Sequence, residues 1–196
     1  RVVLRAVERV RVVQRAAADA RAGEHDDAEG HRADEVAVRL LRAADGDVLR
    51  AAGVELRAVT TPGHTADSVS FVVEGDGALL TGDTVLGRGT SVVAHPDGEL
   101  AAYLDSLDRL AALTQPPDGA VTILPGHGPV VPDAAAMVGY YRTHRRERLA
   151  QVREALAAGC VSADDVVERV YAEVDRAVWP AARLSVLAQL DYLRGA

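Results

Sequence analysis

The chain has 196 residues, 48% apolar and 26% charged, with a formal net charge of −7; this balance indicates one soluble globular domain, with room for a small appendage, and excludes a disordered chain. No apolar run is long enough to span a bilayer, and a single Cys excludes a disulfide framework or an all-Cys zinc site within the chain and suits a reducing, cytoplasmic compartment. The acidic excess speaks against DNA binding by charge alone.

All 22 basic residues are Arg, and the chain has no Lys, no Asn and a single Ile, a bias of GC-rich coding rather than of chemistry. Met137 is the only Met, so Arg1 is not an initiator and the expectation is a chain that starts inside a longer reading frame. Residues 1–44 contain no Pro and no aromatic residue; Val3, Val7, Val10 and Val13 with Arg between them suggest an amphipathic helix, weakened by β-branching. This segment is expected to be an atypical leader, helical or poorly ordered. From Ala44-Asp45-Gly46-Asp47, a turn signal, the pattern sharpens. Val54 to Val59 alternates as a half-buried strand, and Val69–Val73, the Glu74-Gly75-Asp76-Gly77 turn and Ala78–Leu80 read as a hairpin. Leu100 to Leu113 has helical spacing, Pro116-Pro117-Asp118-Gly119 ends it, and Val121–Leu124 is a short buried strand stopped at Pro125. The rest is helical: Ser162 to Asp165 is a variant capping box, and Pro180 opens a final helix through Leu193.

Three of these strands end alike. Strand 54–59 runs into Thr61-Pro62-Gly63-His64, strand 78–80 into Thr81-Gly82-Asp83, and strand 121–124 into Pro125-Gly126-His127-Gly128. Each stops at a Gly turn that aims a His or an Asp back over the strand ends, where ligands gather in layered folds. Two imidazoles and a carboxylate form a natural ligand set for zinc or another divalent first-row metal.

The Thr61–Thr65, Gly82-Asp83 and Pro125–Gly128 segments resemble the later metal-binding motifs of the metallo-β-lactamase superfamily. Gly82 to Gly87, Tyr103-Leu104-Asp105-Ser106-Leu107, Pro125 to Val130 and Tyr141 to Arg145 are similar to the β-lactamase-like protein 2 branch, a relative of glyoxalase II. The resemblance implies an α+β fold: an αββα sandwich with a zinc site at one edge, here with an incomplete first half, and a winged-helix-like helical region after the core. Residues 45–140 would be the core and 141–196 the helical region. It implies that His64 and His127 are terminal ligands of one or two zinc ions, and that Asp83 bridges them as the catalytic carboxylate. Water activated on the metal would attack an ester, thioester or phosphodiester.

The family's first ligand run, His-x-His-x-Asp-His, has no full counterpart upstream. Gly23-Glu24-His25-Asp26-Asp27-Ala28 keeps only its second His, as His25, and its Asp, as Asp27; a solvated loop His is the competing reading of His25. An internal start or frame disruption that leaves an unrelated leader, a diverged member with a reduced site at His25 and Asp27, and a truncated, inactive relative are all compatible with that gap, and reduced metal affinity and turnover are the expectation. Asp67 and Ser68 are candidates to orient His64, with a plain turn role as the equal alternative. His144 and Arg145 are candidates to face an anionic substrate, against the plainer reading of a solvated helix face. Residues 145–196 hold eight Arg and eight acidic residues, without the basic excess of DNA readers, so this region reads as a lid over the substrate cleft. The expected partner is a small ester or thioester or, because the branch includes endoribonucleases, single-stranded RNA, with no membrane and no DNA.

Overall fold

A computed structural model describes residues 42–51, 53–116 and 119–195. Most of the leader expected over 1–44, with its helix and with His25 and Asp27, lies outside the described residues.

Five strands form one sheet in chain order: β1 (Val48–Ala51), β2 (Val54–Thr60), β3 (Val69–Val73), β4 (Ala78–Gly82) and β5 (Thr122–Pro125). The first four pair antiparallel, and β5 joins β4 in parallel. That reversal follows from the connection: a parallel neighbour needs a crossover, and helix α1 (Leu100–Leu113) lies within it. Helices α2 (Ala134–Ala157), α3 (Ala163–Val170) and α4 (Trp179–Gly195) follow, with a 3-10 turn at Arg176–Val178. None of the described helices is long and apolar enough to cross a membrane. The described residues thus supply one sheet of the expected sandwich together with its helices.

Strand alternation builds two cores. Leu79 and Ile123 enter a cluster with Leu100, Tyr103, Leu107 and Leu110 of α1 and Val138 and Tyr141 of α2. Their neighbours Leu80 and Leu124 point the other way, into a cluster with Leu49, Leu56 and Val73. A third cluster binds the C-terminal helices together through Val152, Ala155, Val166, Val167, Val186 and Leu190. Helix α1 carries Tyr103 and Ser106 on its buried side as well as Leu107 and Leu110, so polar atoms accompany the leucine stripe toward the strand ends.

The capping box at Ser162 is complete: the Ser162 hydroxyl accepts from the Asp165 N–H and the Asp165 carboxylate from the Ser162 N–H. Strand β1 is the element that its sequence does not announce. It is four residues long, and alternation is too short to read there.

Candidate functional site

Strand direction decides where the three Gly turns go. β2 and β4 are each antiparallel to β3, so they run the same way, and β5 is parallel to β4. The C-terminal ends of β2, β4 and β5 therefore share one sheet edge, and His64, Asp83 and His127 each follow one of them. Adjacent strands stand roughly 5 Å apart, which brings the turns after β4 and β5 close together and leaves the turn after β2 about two strand widths from that after β4.

Each turn is pinned from behind. The Ser106 hydroxyl of α1 donates to the Pro62 carbonyl at 2.7 Å, and Gly63, with φ of 132°, lies so close to α1 that a Cβ there would fall 2.3 Å from the Tyr103 Cα. The left-handed backbone and the missing side chain at Gly63 are both required. The Gly126 N–H donates to the Gly82 carbonyl at 2.8 Å, tying the Asp83 and His127 turns together, and the Gly87 N–H donates to the His127 carbonyl at 2.9 Å. Thr84, next to Asp83, is buried with its hydroxyl 3.3 Å from that of Thr61.

The side chains converge on Asp83. His127 Nε2 stands 3.5 Å from Asp83 Oδ1, and His64 Nε2 stands 3.9 Å from Asp83 Oδ2. Asp83 Oδ1 is buried and has no hydrogen-bond partner among the described residues. His64 Nδ1 lies 2.7 Å from the Val92 carbonyl, which only accepts, so Nδ1 carries a proton, and in the neutral ring it is Nε2 that presents its lone pair toward Asp83. The Ser91 hydroxyl lies 3.3 Å from the same Nδ1 and from the same carbonyl. The partners that orient His64 are thus Val92 and Ser91; the Asp67 carboxylate and the Ser68 hydroxyl instead serve Thr65 within the turn.

Donors sharing a tetrahedral metal at bond lengths of about 2.0–2.1 Å stand about 3.3 Å apart, so the two imidazole–carboxylate distances exceed that spacing by a few tenths of an ångström. Among the described residues no group of three or more His, Cys, Asp or Glu side chains closes into a metal cage. The arrangement is two imidazoles, each facing a different oxygen of one carboxylate. A carboxylate with one oxygen buried and unpaired toward His127, and with its other oxygen facing the Nε2 of His64, fits a divalent cation, which would supply the missing partner.

The other two candidates lie on α2. His144 is half-buried beside the ring of Tyr140, and burial with the charges of Arg145 and Arg148 pulls its pKa down to about 4, so it is neutral at pH 7. Arg145 is buried at 4% exposure, donates to the Ser91 carbonyl and stacks over the Tyr103 ring at 4.7 Å. Tyr141 is buried too; its hydroxyl accepts from the Leu86 N–H at 2.8 Å and lies 3.3 Å from the Gly89 carbonyl, and burial raises its pKa to about 12.

The family model described as the metallo-beta-lactamase superfamily matches residues 5–127, a span that begins inside the segment read as a leader, and a beta-lactamase associated winged helix domain matches residues 162–194. A beta-lactamase-like protein 2 homolog from Caenorhabditis elegans is 35% identical over 82% of the chain and 52% of its own length. An atrochrysone carboxyl ACP thioesterase from Aspergillus chevalieri is 36% identical over 66% of the chain and 42% of its own length. The crystal structure of a metallo-beta-lactamase family protein from Thermus thermophilus superposes with a TM-score of 0.66 at 29% identity, covering 78% of the chain and 48% of that protein. The chain spans about half the length of the curated relatives it matches.

Proposed function

Because the chain belongs to the metallo-beta-lactamase superfamily, whose members bind divalent metals, we propose that it carries the second half of a zinc-dependent hydrolytic site acting on an ester or thioester. The observation that carries this reading is Asp83: one oxygen buried without a hydrogen bond, with His127 and His64 facing its two oxygens. His64, Asp83 and His127 would hold the metal, which when bound lowers the pKa of water to near neutrality and polarises the acyl carbonyl under attack. The Val92 carbonyl keeps the His64 proton on Nδ1 and so fixes Nε2 as the donor. His127, with 77% of its side chain exposed, forms the open side of the site, and His64, at 26%, forms its floor.

The thioester preference is supported by the similarity to the Aspergillus chevalieri thioesterase, and residues 145–196, with eight Arg and eight acidic residues, offer a polyanion no net positive charge. The test is equilibrium dialysis of the 196-residue chain against zinc, followed by hydrolysis of acyl thioesters and of single-stranded RNA. Zinc binding lost in H64A, D83A and H127A, with weak metal-dependent thioester cleavage, is the expected result. Zinc content indifferent to all three substitutions would sink the ligand assignment, and RNA cleavage in place of thioester cleavage would sink the substrate assignment.

A further inference from the structure

Arg145 is a buried guanidinium with no carboxylate partner among the described residues, and its Nε is buried without a hydrogen bond. Such a group is costly to keep, so its contacts identify what it serves. It makes two that matter. Its Nη2 donates to the carbonyl of Ser91, the residue whose hydroxyl and whose neighbour Val92 hold His64 Nδ1. Its Cζ lies over the ring of Tyr103, 4.7 Å from the ring centre, and the Tyr103 hydroxyl donates at 2.5 Å to the carbonyl of Thr84, the residue after Asp83. The α2 cation and the α1 phenol thus touch, and each grips the backbone beside a different residue of the site.

We propose that Arg145 and Tyr103 act as one positioning pair, setting the separation of His64 and Asp83 without contacting substrate. Arg145 fixes the Ser91-Val92 strap and through it the tautomer and aim of His64; Tyr103 fixes the Asp83 turn; the stacking of guanidinium on ring locks one to the other. Lysine cannot replace Arg145 fully, because an ammonium has no planar face to stack while its fork is also donating. The inference rests on the metal reading for its consequence but not for its geometry, which is a property of the metal-free chain.

The test uses the full chain with Arg145→Met, Arg145→Lys and Tyr103→Phe. Imidazole nitrogen chemical shifts, recorded on metal-free protein at mildly alkaline pH, report the His64 tautomer; zinc competition titrations report affinity. In R145M the expected result is loss of the single Nδ1–H tautomer of His64 and a fall in zinc affinity of about 10–100-fold, the range for residues that orient metal ligands. R145K should recover part of both. Y103F should leave the His64 tautomer in place yet weaken zinc binding, because it loosens only the Asp83 side. A folded R145M with the unaltered His64 signature and unaltered zinc affinity would overturn the proposal. Should R145M fail to fold, Y103F decides alone, and unchanged zinc affinity in it is the overturning result. If the unaltered chain binds no zinc, the metal reading fails, and the metal-free tautomer comparison in R145M and R145K decides the positioning role.

Discussion

Gly126→Ala separates the geometry of the site from the stability of the fold. A Cβ on Gly126 would lie 2.6 Å from Asp83 Oδ1, and 3.0 and 3.1 Å from the carbonyl carbon and oxygen of Gly82. A carbon and an oxygen make ordinary contact at about 3.3 Å, so the carboxylate oxygen must retreat by roughly 0.7 Å. Productive sites tolerate about 0.5 Å of displacement, and a disturbance of this kind costs about 10–100-fold in metal affinity. The stability cost stays low because the nearest obstructing atom is the end of a side chain, while the Gly82 backbone at 3.0–3.1 Å has to give by only a few tenths of an ångström. Overpacking costs about 1–3 kcal/mol and the reduced freedom of the unfolded chain returns about 0.4–1 kcal/mol, giving a net loss of no more than about 0.6 kcal/mol at the lower end of the overpacking cost. Zinc competition against a chromophoric chelator, run beside thermal unfolding, measures both quantities. Gly87→Ala is the contrast: its Cβ would meet the Pro129 backbone oxygen at 2.0 Å and nitrogen at 2.7 Å, atoms that cannot swing away, so it should lose stability first. A folded G126A with unchanged zinc affinity would refute the reasoning.

Three other substitutions report on different layers. Gly63→Ala adds a left-handed residue and a Cβ at 2.3–2.5 Å from the Tyr103 backbone and Cβ, so α1 must back away; a loss of about 3 kcal/mol or more in denaturant unfolding is expected. The Thr60 N–H and Arg109 hold the Asp45 carboxyl below its usual 3.8, so its contribution is present above 3.8 and is lost as pH falls through the lower folded value. Because the pair is surface-exposed the contribution is no more than about 1 kcal/mol, and D45N should flatten the acid limb of stability measured by urea titration below pH 3.8. Ser162→Ala removes the hydroxyl that caps the Asp165 N–H at 3.1 Å, costs about 0.5–2 kcal/mol, and should speed amide exchange in α3 before it affects the sheet.

The sheet and helices were legible where periodicity and punctuation coincide. Leucines at 100, 104, 107 and 110, closed by Thr114-Gln115-Pro116, set α1 at Leu100–Leu113, as observed, although Leu104 is less buried than Tyr103, which packs toward the Asp83 turn. The Gly-anchored turns were legible as a group because β2, β4 and β5 end on one edge, a matter of strand direction that three similar endings already imply. The orientation of His64 was not legible. Its partner is the Val92 carbonyl, supplied by a loop without periodicity, and any residue type carries a carbonyl. The cluster of charge and His at 142–148 reads as a solvated face, yet the spacing Tyr141, Arg145, Leu149, Val152 is the i, i+4 and i+3 stripe of a buried one. That stripe was available in the sequence and places Arg145 inward against its chemistry.

The same stripe explains why the C-terminal helices belong to the frame of the site rather than to a separable cap. α2 is 24 residues long, about 36 Å at the helical rise, and its two ends serve different clusters. Val138 and Tyr141 pack with α1 and the sheet, whereas Val152 and Ala155 pack with α3 and α4. α4 then returns to the sheet: Ala188 enters the central cluster, the Ser185 hydroxyl accepts from the Val93 N–H at 3.1 Å, and Asp191 meets His95 at 2.9 Å. Val93 follows the carbonyl that holds His64, so the strap behind that imidazole is gripped by Arg145 of α2 on one side and Ser185 of α4 on the other. A helical appendage that merely covered a cleft would need no buried hydrogen bond to the backbone behind a site residue. The backbone donor at Val93, buried with its partner, makes the placement of α4 and the aim of His64 parts of one packing solution.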